Sequence, residues 1–263
     1  MNTKEMLEKV KSAVKAAAQI IPTTVEDSDI IGKDGKANYA TEYDLAVQKN
    51  LFEALRKICP EAKLIGEEDV GETSTESTKA FIVDPIDGTT NFVHGVRKSA
   101  ICVAYAENDA VLLGVVYDPY ADEMFTAVKG GGAYLNGKKI SVSERKLENS
   151  LVIFGAAPYY EELISKSLKA AEKLLRASQD IRRFGSGALE ICYVACGRAD
   201  VQFELVLCPW DYAAASLVLE EAGGIISDIN GGKLSLEKKC SVLSANKVAY
   251  EEAKRIVSEC VGD

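Results

Sequence analysis

What the 263-residue chain lacks narrows its chemistry more than what it contains. His94 is the one histidine. A Ser-His-Asp triad would have to use it, and no GxSxG elbow accompanies it. Zinc or iron sites that need two histidines are excluded within one chain. The seven cysteines are odd in number, scattered and without a CxxC pair. They read as reduced, mostly buried thiols of a cytoplasmic protein, with Cys192 and Cys196 packing on a helix. No run of 18 apolar residues occurs, so no membrane span is expected. The first residues, MNTKEM, already carry charge and do not read as a signal peptide. A net charge of −9 without basic clusters argues against a duplex nucleic-acid partner, which needs grouped cations. It does not exclude small phosphorylated substrates, whose charge metal ions can meet.

What is there is a globular composition, 47% hydrophobic and 27% charged, enough for a sizeable core. Helical spacing of Leu7, Val10, Val14, Ala17 and Ile21 ends at Pro22. A second helix is expected over 42–58, capped by Thr41. Strands are expected around 80–84, 99–107, 110–118 and 123–128, the middle two joined by an Asn108-Asp109 hairpin. From residue 160 onward helices and strands alternate: helices near 160–177, 188–196, 211–222 and 247–260, strands near 180–184, 200–205, 225–228 and 241–244. The pattern indicates an α/β (α+β layered) protein, with a soft boundary near 145–151. GAYLNGKK at 132–139 nearly matches a phosphate-binding P-loop, but Lys139 replaces the metal-binding hydroxyl and ISVS after it reads as strand. A glycine-rich hairpin turn is the better reading.

Carboxylates remain: Glu67-Glu68 in LIGEED, Asp84 and Asp87 in IVDPIDGTTNF, Glu204 in VQFELVL and Asp211 in CPWDYAAAS. Hard oxygen ligands of this kind select Mg²⁺, Mn²⁺ or Ca²⁺. A turn or a helix cap would account for Asp87, and a cap for Asp211. Neither accounts for Asp84 beside Asp87, where two close anions raise each other's pKa and a divalent cation would relieve them. A helix opening at Gly88-Thr89 would aim free backbone N–H groups at the same space. Glu204 lies in an apolar run, where a carboxylate needs a partner or a ligand. Haloacid-dehalogenase-type phosphatases use DxDGT; DPIDGT has one more residue between its aspartates, which redirects the second carboxylate.

Taken together, GEE at 66–68, DPIDGTTNFVH at 84–94, GVVYDP at 114–119, KGGGAYLNGKKISVS at 129–143, GSGALEICYVACGRAD at 185–200 and WDYAAASLVLEEAGG at 210–224 resemble the inositol monophosphatase family over nearly the whole chain. The resemblance implies a five-layer αβαβα sandwich, with an N-terminal α+β layer over 1–150 holding most metal ligands and a C-terminal α/β layer over 151–263 holding Asp211. It also implies a homodimer. By position, Glu67, Asp84 and the Ile86 carbonyl would bind one metal ion, and Asp84, Asp87 and Asp211 a second. Glu67 would help to hold a weaker third. Mg²⁺ is the implied ion, with Mn²⁺ as a substitute and lithium as an inhibitor. Thr89, paired with Asp44, would position or deprotonate the attacking water. The Gly88 and Thr89 amides would hold phosphate. Asp87, Ser186, Gly187 and Glu204 would contact hydroxyls of the alcohol, and Lys33 aligns with a loop lysine near the site. Val96-Arg97-Lys98 and Ser186-Gly187 depart from the family pattern. The implied activity is hydrolysis of a small phosphorylated polyol or sugar, inositol monophosphate foremost. Fructose-1,6-bisphosphate and 3′-phosphoadenosine phosphates are the alternatives within the family, and a non-catalytic divalent-cation-binding protein is the alternative outside it.

Overall fold

Two kinds of helix sequence set the layers. Helices α1 (Thr3–Ala18) and α2 (Glu42–Ile58) bury one stripe each, Met6, Val10, Val14 and Ala17 on the first and Val47, Leu51 and Leu55 on the second. Spacing of that kind makes a surface helix. By contrast α5 (Gly187–Ala195) and α6 (Pro209–Glu221) are apolar nearly all round and almost wholly buried, which places them between two sheets. The computed structural model describes residues 2–22, 30–32, 39–68 and 78–262.

The first sheet runs in chain order: β3 (Lys63–Gly66), β4 (Lys79–Asp87), β5 (Ala100–Glu107), β6 (Ala110–Asp118), β7 (Glu123–Val128), β8 (Gly132–Leu135) and β9 (Lys138–Lys139). β3 and β4 pair parallel and the remaining pairs are antiparallel. Alternation divides its side chains between the two faces. Phe81, Val83, Ile101, Val103, Leu113 and Val115 pack on α1 and α2, while Ala80, Ile82, Cys102, Ala104 and Val116 pack on α5 and α6. The second sheet has the order β11-β10-β12-β14-β13, made of β10 (Leu151–Phe154), β11 (Asp180–Arg182), β12 (Val201–Leu207), β13 (Ile225–Ser227) and β14 (Cys240–Ala245). Its inner face adds Ile153, Leu207 and Val242 to the central layer. Its outer face packs Val152, Val201, Phe203 and Leu243 on α4 (Glu161–Ala177) and α7 (Tyr250–Gly262). The five-layer αβαβα sandwich is therefore the architecture of the chain. A short ribbon, β1 (Ile30–Gly32) with β2 (Tyr39–Thr41), precedes α2, and the single turn α3 (Thr89–Val93) follows β4.

Several details differ from the sequence expectations. β4 does not stop at Asp84 but continues through Pro85 to Asp87, with a register shift between the two aspartates. β3 and β10 were not anticipated: both are four-residue segments, and LVIF in β10 is apolar throughout because parallel neighbours β11 and β12 flank it. ISVS at 140–143 carries no strand; β9 ends at Lys139. The Asn108-Asp109 turn is as expected, both residues having positive φ (49° and 58°), as a two-residue hairpin requires.

Candidate metal centre and active site

Asp84 and Asp87 are three apart, an odd offset that would send their side chains to opposite faces of a regular strand. The shift in register supplies the remedy. Asp84 pairs with Cys102 and Asp87 with Ala100, so three steps on β4 match two on β5. One extra residue is a β-bulge, and it turns Asp87 back to the face of Asp84. Asp211, at the third position of α6, completes the group: Asp84, Asp87 and Asp211 each offer an oxygen within 4.8 Å of the other two. Glu67 follows the end of β3, which runs parallel to β4 and so ends at the same sheet edge. It lines the same cavity, of about 570 Å³, together with Ile86, Gly88, Thr89, Gly187 and Glu204.

Helix starts converge here. Asp211 Oδ2 accepts the Cys208 N–H (2.7 Å), closing a capping box around Pro209. Asp44 does the same for α2, its Oδ2 accepting the Thr41 N–H (2.7 Å) and Thr41 Oγ1 (2.5 Å). An edge-on contact of Tyr43 with Phe92 (ring centroids 5.9 Å) joins α2 to α3. Thr89 Oγ1 thereby reaches Asp44 Oδ1 at 3.5 Å and the Ile86 carbonyl at 3.1 Å. Asp87 caps a helix too, though not the one beside it. Gly88 occupies the N-cap of α3, while the Asp87 carboxylate accepts Ser186 Oγ (2.5 Å), the Ala188 N–H (2.8 Å) and the Gly187 N–H (3.2 Å) at the start of α5. Capping and ligation are thus not rival readings of these aspartates. A carboxylate has about four lone-pair sites, and a cap uses only some of them.

Gly88 must be glycine. Its φ is +93°, and a Cβ there would lie 2.9 Å from the Gly185 carbonyl oxygen and 3.0 Å from that of Lys98. The second half of the molecule closes that tightly on the DGT segment.

The electrostatics are those of uncompensated anions. Burial, then the charges of Glu67, Asp87 and Asp211, raises the Asp84 carboxyl well above its usual value. Burial likewise raises Asp211, followed by the charges of Asp87 and Glu67, against the opposing Cys208 N–H. Asp87 is pushed up to about 6 by burial, against the lowering effect of Ser186 and the Ala188 and Gly187 amides. Three carboxylates so placed, all hard oxygen donors and none ion-paired to a lysine or arginine among the described residues, fit a hard divalent cation.

The second half of the chain adds further acidic groups to the lining of the same cavity. Glu204 projects from β12, and a Cβ on Gly155 would fall 2.1 Å from its carboxyl carbon, so the glycine makes room for it. Burial, then Glu190 and Asp211, raises Glu204 well above its usual value, and Arg183 opposes this. Glu190, raised to about 7 chiefly by burial, also lines the cavity, as do Arg183, Asn91, Tyr159 and Trp210. These were missed in the sequence. For Glu190 a signal existed: ALEICYVA sets a carboxylate in an apolar run, as VQFELVL does for Glu204. Ser186 is fully buried, its hydroxyl directed at Asp87. Lys33 lies outside the described residues. Among the described residues no helix is long and apolar enough to cross a membrane.

The chain is 34% identical over 254 residues to the Nus factor SuhB of Pasteurella multocida, covering 95% of each chain. Its structure is similar to that of the Thermotoga maritima IMPase, with TM-score 0.85, 31% identity, and 95% and 96% of the two chains covered. It is similar also to an IMPase/NADP phosphatase complexed with Mg²⁺ and phosphate, with TM-score 0.87, 27% identity, and 97% and 96% covered. The inositol monophosphatase family matches residues 2–261, and the bulged aspartates, the helix caps and the αβαβα layers occur in a chain that belongs to that family.

Proposed function

We propose that the chain is a Mg²⁺-dependent phosphatase that hydrolyses a phosphate monoester of a small polyol, inositol monophosphate first. The observation that carries this reading is the Asp84–Asp87–Asp211 cluster opening onto a cavity that Thr89 and Glu204 also line. Asp84, Asp87 and Asp211, with Glu67 and the Ile86 carbonyl, would hold two or three ions. Bound there, Mg²⁺ would make water nucleophilic at neutral pH and neutralise charge developing on the leaving oxygen.

The chain's own groups do the rest. Thr89 donates its hydroxyl hydrogen to Asp44 or the Ile86 carbonyl, which leaves its lone pairs toward the cavity to accept a hydrogen from water. That orients one lone pair of the water toward phosphorus, and Asp44 can receive the proton through Thr89. The first amides of α3 have no partner within the helix, and since Gly88 and Thr89 line the cavity these amides would hold the phosphate. Glu204 accepts hydrogen bonds from hydroxyls of the alcohol. Ser186, buried behind Asp87, acts on the alcohol only indirectly by holding that carboxylate, while Gly187 holds Asp87 and also lines the cavity.

The relative in Pasteurella multocida carries the name Nus factor. A role of that kind would not require three aspartates facing one another, two of them buried and the third partly so, and the cluster therefore favours hydrolysis. The test is release of phosphate by the purified protein from inositol-1-phosphate, fructose-1,6-bisphosphate and 3′-phosphoadenosine 5′-phosphate, compared by kcat/KM. Turnover is expected to require Mg²⁺, to be blocked by Ca²⁺ and to favour inositol-1-phosphate. No release from any of the three removes the enzyme reading; preference for another of them removes the inositol assignment alone.

A further inference from the structure

Between the end of β11 at Arg182 and the start of α5 at Gly187 the chain has four residues in which to turn. Backbone groups in a tight, half-buried loop need partners outside it. Two come from one side chain: the Phe184 and Gly185 N–H groups both donate to Glu190 Oε1, each at 2.8 Å. A third comes from α3, where Asn91 Nδ2 donates to the Phe184 carbonyl at 2.6 Å and to the Lys98 carbonyl at 2.7 Å.

Glu190 is 1% exposed and lies one residue beyond the position from which a capping-box acid normally reaches back. Its carboxylate passes over the N-cap, Ser186, to the two amides before it. Starting α5 does not require it, because Asp87 already takes the Gly187 and Ala188 N–H groups. What Glu190 fixes is the loop, and the loop runs directly into the N-cap Ser186 and the first two residues of α5, which supply the hydrogen bonds described above for Asp87.

We propose that Glu190 is a positioning residue for Asp87: through the loop 184–187, which Asn91 pins from the opposite side, it sets the orientation in which the Asp87 carboxylate faces Asp84 and Asp211. For its bearing on catalysis the inference rests on the phosphatase reading. It adds a residue from the C-terminal side whose task is the geometry of an N-terminal ligand.

Two variants test it, with Mn²⁺ alone as probe by calorimetry and, separately, steady-state kinetics in Mg²⁺. Glu190→Leu keeps the bulk and removes the acceptor, leaving two loop amides unpaired. Mn²⁺ affinity should weaken about 10-fold to 100-fold, kcat should fall by a similar factor, and substrate KM should stay within about threefold. Glu190→Gln keeps a carbonyl oxygen for the same two amides and should stay within about threefold of the wild type on all three measures. Unchanged Mn²⁺ affinity in Glu190→Leu overturns the proposal. So does a Gln variant as impaired as the Leu variant, because the charge rather than the acceptor would then matter. Should Glu190→Leu not fold, Asn91→Asp removes the donor that pins the loop from the other side. It should weaken Mn²⁺ binding about fivefold, and no change overturns the proposal. If the wild type turns over nothing, the phosphatase reading falls, and the Mn²⁺ affinities still decide the role of Glu190.

Discussion

The two walls of the cavity are both lined with buried carboxylates, yet they are built differently. On one wall Asp84, Asp87 and Thr89 come from six consecutive residues and their geometry is set by a local device, the bulge in β4. On the other, Glu204, Gly155 and Arg183 come from one strand and two loops, brought together only by the packing of the second sheet, while Glu190 turns away from the alcohol to hold the loop before α5. The first wall concentrates repulsion at one point and suits a cation. The second spreads its polar groups around a volume and suits an alcohol. Chemistry common to all substrates therefore belongs to the first wall, and choice among them to the second.

The sharpest way to break that division is Asp84→Asn. The amide keeps the size and can still accept the Ile86 N–H, which Asp84 Oδ1 takes at 3.0 Å. It removes a charge repelled by Glu67, Asp87, Asp211 and Asp44. We expect kcat to fall at least about 1,000-fold on every substrate, equivalent to about 4 kcal/mol of lost transition-state stabilisation. The metal-free protein should at the same time melt higher, because a buried carboxyl with like-charged neighbours costs stability. Loss of activity on one substrate only, or a lower melting temperature without metal, would put Asp84 on the wrong wall.

Glu204→Gln sharpens the other side. Losing a charge-assisted hydrogen bond to a substrate hydroxyl costs about 1.5 kcal/mol, roughly tenfold in kcat/KM. The loss should appear with inositol-1-phosphate and be absent with 4-nitrophenyl phosphate, which has no hydroxyl to offer. Equal losses on both substrates would mean that Glu204 acts on the phosphate side.

The same contrast explains what could be read from the chain alone. Asp84, Asp87, Thr89 and Asp211 sit in short motifs whose residue types already imply anions beside a helix start, and the structure brings the three aspartates together. That Asp87 caps α5 rather than α3 was not legible, because its partners are about 100 residues away. Nor was the bulge, since Pro85 is equally at home in a turn. Helix spans were close to those expected: α2 runs over Glu42–Ile58, because capping box and periodicity agree there. Four-residue β3 and β10 lacked the length for a period to show. Glu190 went unnoticed beside Glu204, although the same rule about a carboxylate in an apolar run applied to both.

The smallest expected effect concerns stability, and its sign follows from the raised carboxyls. In the unfolded chain they titrate near 4. Folded and without metal, Asp87 is pushed up to about 6 and Glu190 to about 7, while Asp84, Asp211 and Glu204 are raised as well. Between those values the folded protein holds more protons than the unfolded one, so stability falls as pH rises. The part due to Asp87 and Glu190 is whole below about pH 4 and is lost on passing about pH 6 to 7, and the other three carboxyls act in the same direction. Bound Mg²⁺ favours the ionised forms and stabilises the fold in proportion to its affinity, which grows over the same interval. In EDTA the melting temperature should be about 4 °C lower near pH 7.5 than near pH 5.5. Saturating Mg²⁺ should raise it by about 5 °C at the higher pH and by only about 1 °C at the lower. Glu190→Gln should leave most of the Mg²⁺ effect in place while flattening the metal-free profile above about pH 6, because Glu190 titrates outside the ligand set. A metal-free profile that rises with pH would mean the three aspartates are not forced together without a cation, and the electrostatic case for the first wall as a metal centre would fail.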